Sequence, residues 1–158
     1  MNQRLNTMNI MLKWVPHMAM TITGITDDDI KEIIALWNRC SLTRPWNDPF
    51  ADIALARRGE HSTVLVGREN GMVVASAMVG HDGHRGWVYY VAVEPSMQNE
   101  GRGRAIMSAA EAWLKARKVP KLQLMIRIDN SQARDFYEAI GFSLQDTILY
   151  GKWINDRK

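Results

Sequence analysis

The chain has 158 residues, 46% hydrophobic and 23% charged, with 20 basic and 17 acidic side chains and a net charge of +3. At about 150 residues per domain this is one domain with room for a real core, and its balance excludes a disordered or collagen-like chain. No apolar run reaches the roughly 18 residues of a membrane span. A single cysteine, Cys40, excludes an intramolecular disulfide and a cysteine-rich zinc site, so a reduced, cytoplasmic setting is expected.

Charge is more informative in its distribution. Arg102, Arg104, Lys115, Arg117 and Lys118 face only Glu111 over residues 101–118. Such a run reads as a solvated helix face with one end turned toward an anion. Aromatic and basic residues do not interleave on a single surface, so no nucleic-acid partner is expected, and no membrane partner either. Residues 1–17 carry Arg4 and Lys13, no acid and three methionines. They are expected to be a disordered or non-native extension, with a single folded domain over 18–158.

Residues 18–23 read as a first strand. Thr26 and the three aspartates behind it cap a helix over 27–40, with Ile30, Ile33, Ile34 and Trp37 on one face. Pro45 and Pro49 break the chain into a loop, and a second helix is expected from Pro49 to Arg58. Strands at 63–66 and 72–79 flank Asn70-Gly71, a type I′ hairpin signal. A loop spans 80–86. Trp87 to Val93 is apolar on both alternating faces and reads as a central strand, with Tyr89 and Tyr90 on opposite sides. A helix over 103–118 and a strand over 121–126 complete a strand–helix–strand unit, which makes those two strands parallel. Asp129 to Ser131 caps another helix, which ends at Gly141. Leu144 to Leu149 and Tyr150 to Ile154 supply final strand material.

The segment with chemical content is Val91-Ala92-Val93-Glu94-Pro95 followed by Gln98-Asn99-Glu100-Gly101-Arg102-Gly103, at a strand-to-helix junction. Glycines there let a ligand approach the backbone, and the N–H groups of a starting helix favour a phosphate. A structural turn is an equal reading of those two glycines alone. No Gly-Lys-Ser/Thr occurs, which excludes a P-loop, and the dinucleotide G-x-G-x-x-G pattern is also missing.

Two blocks make a resemblance specific. Gln98-x-x-Gly101-x-Gly103 and Asn130-x-x-Ala133-x-x-Phe136-Tyr137-x-x-x-Gly141-Phe142 resemble the signatures of the GNAT superfamily of acyl-CoA-dependent N-acetyltransferases. Asp48-Pro49 and the run from Gly80 to Gly86 further resemble its bacterial YpeA-type branch. The resemblance implies a mixed α/β (α+β) fold, a twisted mixed sheet of six to seven strands with helices on both faces. It implies acetyl-CoA as cosubstrate and a small-molecule or protein amine as acceptor. The main chain of Val91, Ala92 and Val93 would pair with the pantetheine arm. The amides of Gln98, Asn99, Glu100, Gly101, Arg102, Gly103 and Arg104 would hold the pyrophosphate, with the two arginines adding charge. Asn130 would contact pantetheine or position the next helix. Tyr137 would protonate the leaving thiolate, although it also lies on an apolar stripe.

Trp46, Asp48, Asp82, His84 and Tyr89 are the acceptor-site candidates; Asp48 reads equally as a helix cap and Asp82 as a turn residue. His81 and His84 lack a convincing third ligand, so no metal is expected. Glu94 reads as exposed and Cys40 as a small buried hydrophobe. A non-catalytic acyl-CoA sensor is the second reading, and an edge strand near the C-terminus would suit a homodimer.

Overall fold

The computed structural model describes residues 19–154; the expectation for residues 1–17 lies outside them. In chain order the elements are β1 (Thr21–Gly24), α1 (Ile30–Arg39), α2 (Pro49–Ala56), β2 (Ser62–Glu69), β3 (Met72–His81) and β4 (Gly86–Val93). They continue with α3 (Arg102–Ala116), β5 (Leu122–Gln123) and α4 (Ser131–Ala139). The five strands lie in the order β1-β2-β3-β4-β5. The first three pairs are antiparallel, and β4 and β5 are parallel. The local reasons match the sequence. Asn70 (φ 50°) and Gly71 (φ 79°) take the left-handed angles of the β2–β3 hairpin, and Gly141 takes φ 100° after α4.

The sheet is covered on both sides, as alternation in β2 requires. Val64 and Val66 face Ile33, Leu36 and Trp37 of α1 and Ile53 of α2. Leu65 points the other way, into a cluster with Ile106, Met107, Ala110 and Leu114 of α3. Phe136 and Tyr137 of α4 pack on that second cluster. No helix among the described residues is long and apolar enough to cross a membrane.

Four expectations are corrected. The described residues hold five strands, not six or seven. The last expected strands, 144–149 and 150–154, are irregular and exposed. Their alternation is a local signal, whereas a strand needs a paired edge. Here β5 is two residues long instead of the expected 121–126, and it meets β4 only at Gly86↔Leu122 and Trp87↔Gln123. The loop after β3 is shorter than expected. β3 runs to His81, and only residues 82–85 turn the chain.

A polar tie closes the N-terminal end. Asp29 Oδ2 accepts from Thr26 N and Thr26 Oγ1, both at 2.7 Å, and Oδ1 takes the Arg68 guanidinium. Burial raises the Asp29 pKa, but the bonds from Arg68 and Thr26 outweigh it and hold the carboxyl below its ordinary 3.8. A lowered folded-state pKa contributes stability above the unfolded-state pKa that is lost as pH falls through the folded value. Asp29→Asn is therefore expected to cost about 1–2 kcal/mol at pH 7. The gap to the parent protein should close below about pH 4, read from urea midpoints across pH.

Candidate active site

The central strand is broken in register where the site forms. Pairing passes from Ser76↔Ala92 to Met78↔Tyr89, so Tyr90 and Val91 lie opposite Ala77 alone. Tyr90 has φ 49°. This is a β-bulge, which re-aims side chains and interrupts the ladder. Its effect overturns the expected alternation: Tyr89 and Tyr90 both line one cleft on the α1–α2 face. A left-handed φ on tyrosine costs about 1 kcal/mol or more, and it persists only where its surroundings fix it. They do so here. Trp37 Nε1 donates to Ser76 Oγ (2.8 Å), and Ser76 Oγ donates to the Tyr90 carbonyl (3.1 Å). The Trp37 and Tyr90 rings stack at 3.9 Å and 10°. The Tyr90 hydroxyl accepts from Asn47 Nδ2 (3.0 Å) and donates to Asp52 Oδ2 (2.7 Å). Burial and then the Asp52 bond push the Tyr90 pKa up to about 12, so it remains a donor at neutral pH.

Beyond the bulge, β4 separates from β5 and leads to the start of α3. The chain turns through Asn99 (φ 61°) and Gly101 (φ 88°) into the helix, whose first-turn amides have no intrahelical partners. Gln98 Nε2 donates to the Val93 carbonyl at 3.2 Å. Gly103 gives α4 a close approach, since a Cβ there would lie 3.1 Å from the Phe136 ring.

The two arginines have different fates. The Arg102 side chain is 5% exposed and makes a two-pronged pair with Glu69, at 2.7 and 2.9 Å. It also binds Glu100 and the Met97 carbonyl. Those bonds, from Glu69 first, push its pKa further up and hold it charged. Its charge is spent inside the protein, contrary to the expectation that it adds to a phosphate site. Arg104 is exposed, with one long contact to Ala139 O at 3.5 Å.

On α4, Asn130 is the N-cap, and its Oδ1 accepts from Ala133 N at 3.0 Å. Of its two expected roles, the side chain performs helix positioning. The Tyr137 ring packs between Phe136 and Phe142, at 5.0 and 5.5 Å between centroids. Burial raises its pKa to about 12. Its hydroxyl has no hydrogen-bond partner among the described residues.

The acceptor-site candidates divide. Tyr89 and Asp82 line the cleft, which has a volume of about 520 Å³. Trp46, Asp48 and His84 do not line it. Asp48 is the α2 cap, its Oδ1 accepting from Phe50 N and Ala51 N. Asp82 accepts from His84 N, Arg85 N and Trp87 Nε1. Those donors, Arg85 N first, hold its carboxyl far below the ordinary range. It is the turn residue as well as part of the rim. Asn47, from the 46–48 loop expected to border the acceptor, lines the cleft; Asp52, Leu55 and Met78 also line it, and sequence reading missed them. Asp52 carried a faint signal, one turn beyond Asp48, but a carboxylate early in a helix reads as a dipole partner. No group of three or more His, Cys, Asp or Glu side chains among the described residues could hold a metal ion.

Comparison with known proteins agrees with this geometry. Residues 28–142 match the acetyltransferase (GNAT) family. An acetyltransferase of Yersinia pestis (strain Pestoides F) is 43% identical over 133 residues, 84% of this chain and 94% of that protein. One from Pectobacterium atrosepticum is 41% identical over 140 residues, 88% of this chain and 99% of that one. Among solved structures, AAC(6')-Iy in complex with a bisubstrate analogue of CoA superimposes with a TM-score of 0.73 at 15% identity, covering 85% of this chain and 98% of that one. That likeness is one of fold. The chain belongs to the GNAT acetyltransferase family.

Removing the hydroxyl that links Trp37 to Tyr90 tests what holds the bulge. Ser76→Ala leaves the buried indole N–H without its acceptor, and is expected to lower stability by about 1–3 kcal/mol in urea unfolding. A loss below about 0.5 kcal/mol would show that the bulge does not depend on this chain of bonds.

Proposed function

We propose that this protein transfers an acetyl group from acetyl-CoA to a primary amine by direct attack within a ternary complex. The observation that carries the reading is the bulge at Tyr90, set where β4 leaves β5 and in line with the glycine-bearing start of α3. The residues present suit CoA. Gly101 leaves backbone open at the head of a helix, where amides and dipole favour a pyrophosphate. The solved AAC(6')-Iy structures include one in complex with CoA.

Each residue has a role in this reading. Val91, Ala92 and Val93 offer main-chain groups along β4 for a pantetheine arm to pair with. The amides from Gln98 to Arg104 hold the pyrophosphate, and exposed Arg104 supplies the positive side chain there. Acetyl-CoA supplies the activated acetyl group as a thioester. The Val91 amide, which lies in the bulge without a register partner on β3, stabilises charge developing on the acetyl oxygen without reorganisation. Tyr137 gives its proton to the departing sulfur and regains one from water. Its raised pKa suits a donor that must stay protonated at neutral pH. No enzyme nucleophile is needed, because holding the amine in line supplies much of the rate.

Tyr137→Phe removes the hydroxyl and keeps the ring that packs on Phe136 and Phe142. Acetyl-CoA affinity, measured by calorimetry, should stay within about twofold, while kcat falls about 100-fold. An unchanged kcat would remove Tyr137 from the mechanism. Acetyl-CoA binding without turnover on any amine would favour an acyl-CoA sensor.

A further inference from the structure

We propose that the acceptor is a primary amine with a single positive charge on an apolar or aromatic body, held at Asp52 and lying against Trp87 and Tyr89. This rests on the acetyl-transfer reading above and names its substrate class. The cleft is within the range of small-molecule sites, about 300–1,000 Å³. Its walls include Leu55, Met78, Val79, Trp87 and Tyr89, so most of what a ligand touches there is apolar or aromatic.

The carboxylates fix the charge it accepts. Asp52 and Asp82 are the acidic side chains of the lining. Asp82 is the more occupied: Oδ1 takes two backbone N–H groups and Oδ2 takes the Trp87 indole. Asp52 differs, because only Oδ2 is engaged, by the Tyr90 hydroxyl. Oδ1 has no hydrogen-bond partner among the described residues. One oxygen of Asp52 is thus left for one cationic nitrogen, and Asp82, already bonded to three donors, offers a second ammonium a weaker hold. The aromatic rings beside it add attraction for a cation and a surface for a ring or alkyl chain. Tyr90 joins this grip to the reaction centre, since its hydroxyl orients Asp52 and its backbone forms the bulge.

The chemistry balances. The amine enters as R–NH3+ and passes one proton to water in the open cleft. Its nitrogen forms the bond to the acetyl carbon, and the carbon–sulfur bond breaks with its electron pair on sulfur. Sulfur takes a proton from Tyr137, the nitrogen loses its second proton to water, and Tyr137 is reprotonated. The sum is thioester plus ammonium giving amide, thiol and one proton. Asp52 Oδ1 accepts an N–H from the amine in both protonation states, so it acts by positioning.

Thiol release by the full chain tests this with acetyl-CoA and three acceptors: 2-phenylethylamine, spermidine and a lysine-containing peptide. We expect kcat/KM for 2-phenylethylamine to exceed that for spermidine and the peptide at least tenfold. Asp52→Asn should raise its KM about 10- to 100-fold, with the calorimetric affinity for acetyl-CoA unchanged. Trp87→Phe, which keeps a ring, should raise KM less than Trp87→Ala. A preference for spermidine or the peptide overturns the proposal and leaves acetyl transfer standing. So does an unaltered KM in Asp52→Asn. Should that variant fail to fold, the order of the three acceptors in the parent protein decides alone. Release with none of the three overturns the proposal, while acetyl transfer itself falls only if no amine supports release.

Discussion

The site depends on one buried chain of polar contacts, from the Trp37 indole through the Ser76 hydroxyl to the Tyr90 carbonyl. It joins α1, β3 and β4 at the point where the central strand is out of register. Without it, a tyrosine at positive φ would be a strained residue with an easy way to relax. With it, the ring is stacked, the carbonyl bonded and the hydroxyl tied to α2 through Asp52. The same contacts that fill the core on the α1–α2 face thus set the backbone of the proposed reaction centre and the direction of a cleft carboxylate.

The start of α3 rests on a second internal device. Arg102 reaches inward and draws Glu69, Glu100 and the Met97 carbonyl around one guanidinium. Breaking a buried pair of this kind costs far more than it returns on exchange for apolar residues. Here it ties the β2–β3 hairpin to the loop that precedes the helix. The loop keeps its shape through that tie and through Gln98 on Val93. In the proposed CoA site, positive charge falls to Arg104 and the helix end.

Local features were legible in the sequence. Asn70-Gly71 gave the hairpin, Asp48 and Asn130 gave helix caps, and the apolar stripes gave α1, α3 and α4, because each follows from neighbours a few residues apart. The two motif blocks located the α3 and α4 starts for the same reason. What stayed hidden was long-range. A bulge is invisible in an apolar strand, so Tyr89 and Tyr90 read as facing apart. Glu69, beside a turn, reads as surface until Arg102 is seen 33 positions away in the chain and bonded to it. Asp52 became a site residue only through Tyr90. The C-terminal alternation promised strands, but β5 gives them a two-residue edge.

That short edge divides the sheet mechanically. Four strands form a continuous antiparallel meander, each hairpin-linked to the next from β2 onward. β5 is held by two residue pairs, and α4 meets the rest through Phe136 against Gly103 and the cluster beneath α3. The oxyanion side of the proposed reaction thus belongs to the stiff meander, while the proton donor rides on the lightly stitched part. In the proposed reaction a shift of α4 would move the donor hydroxyl and leave the bulge, which belongs to the meander, in place.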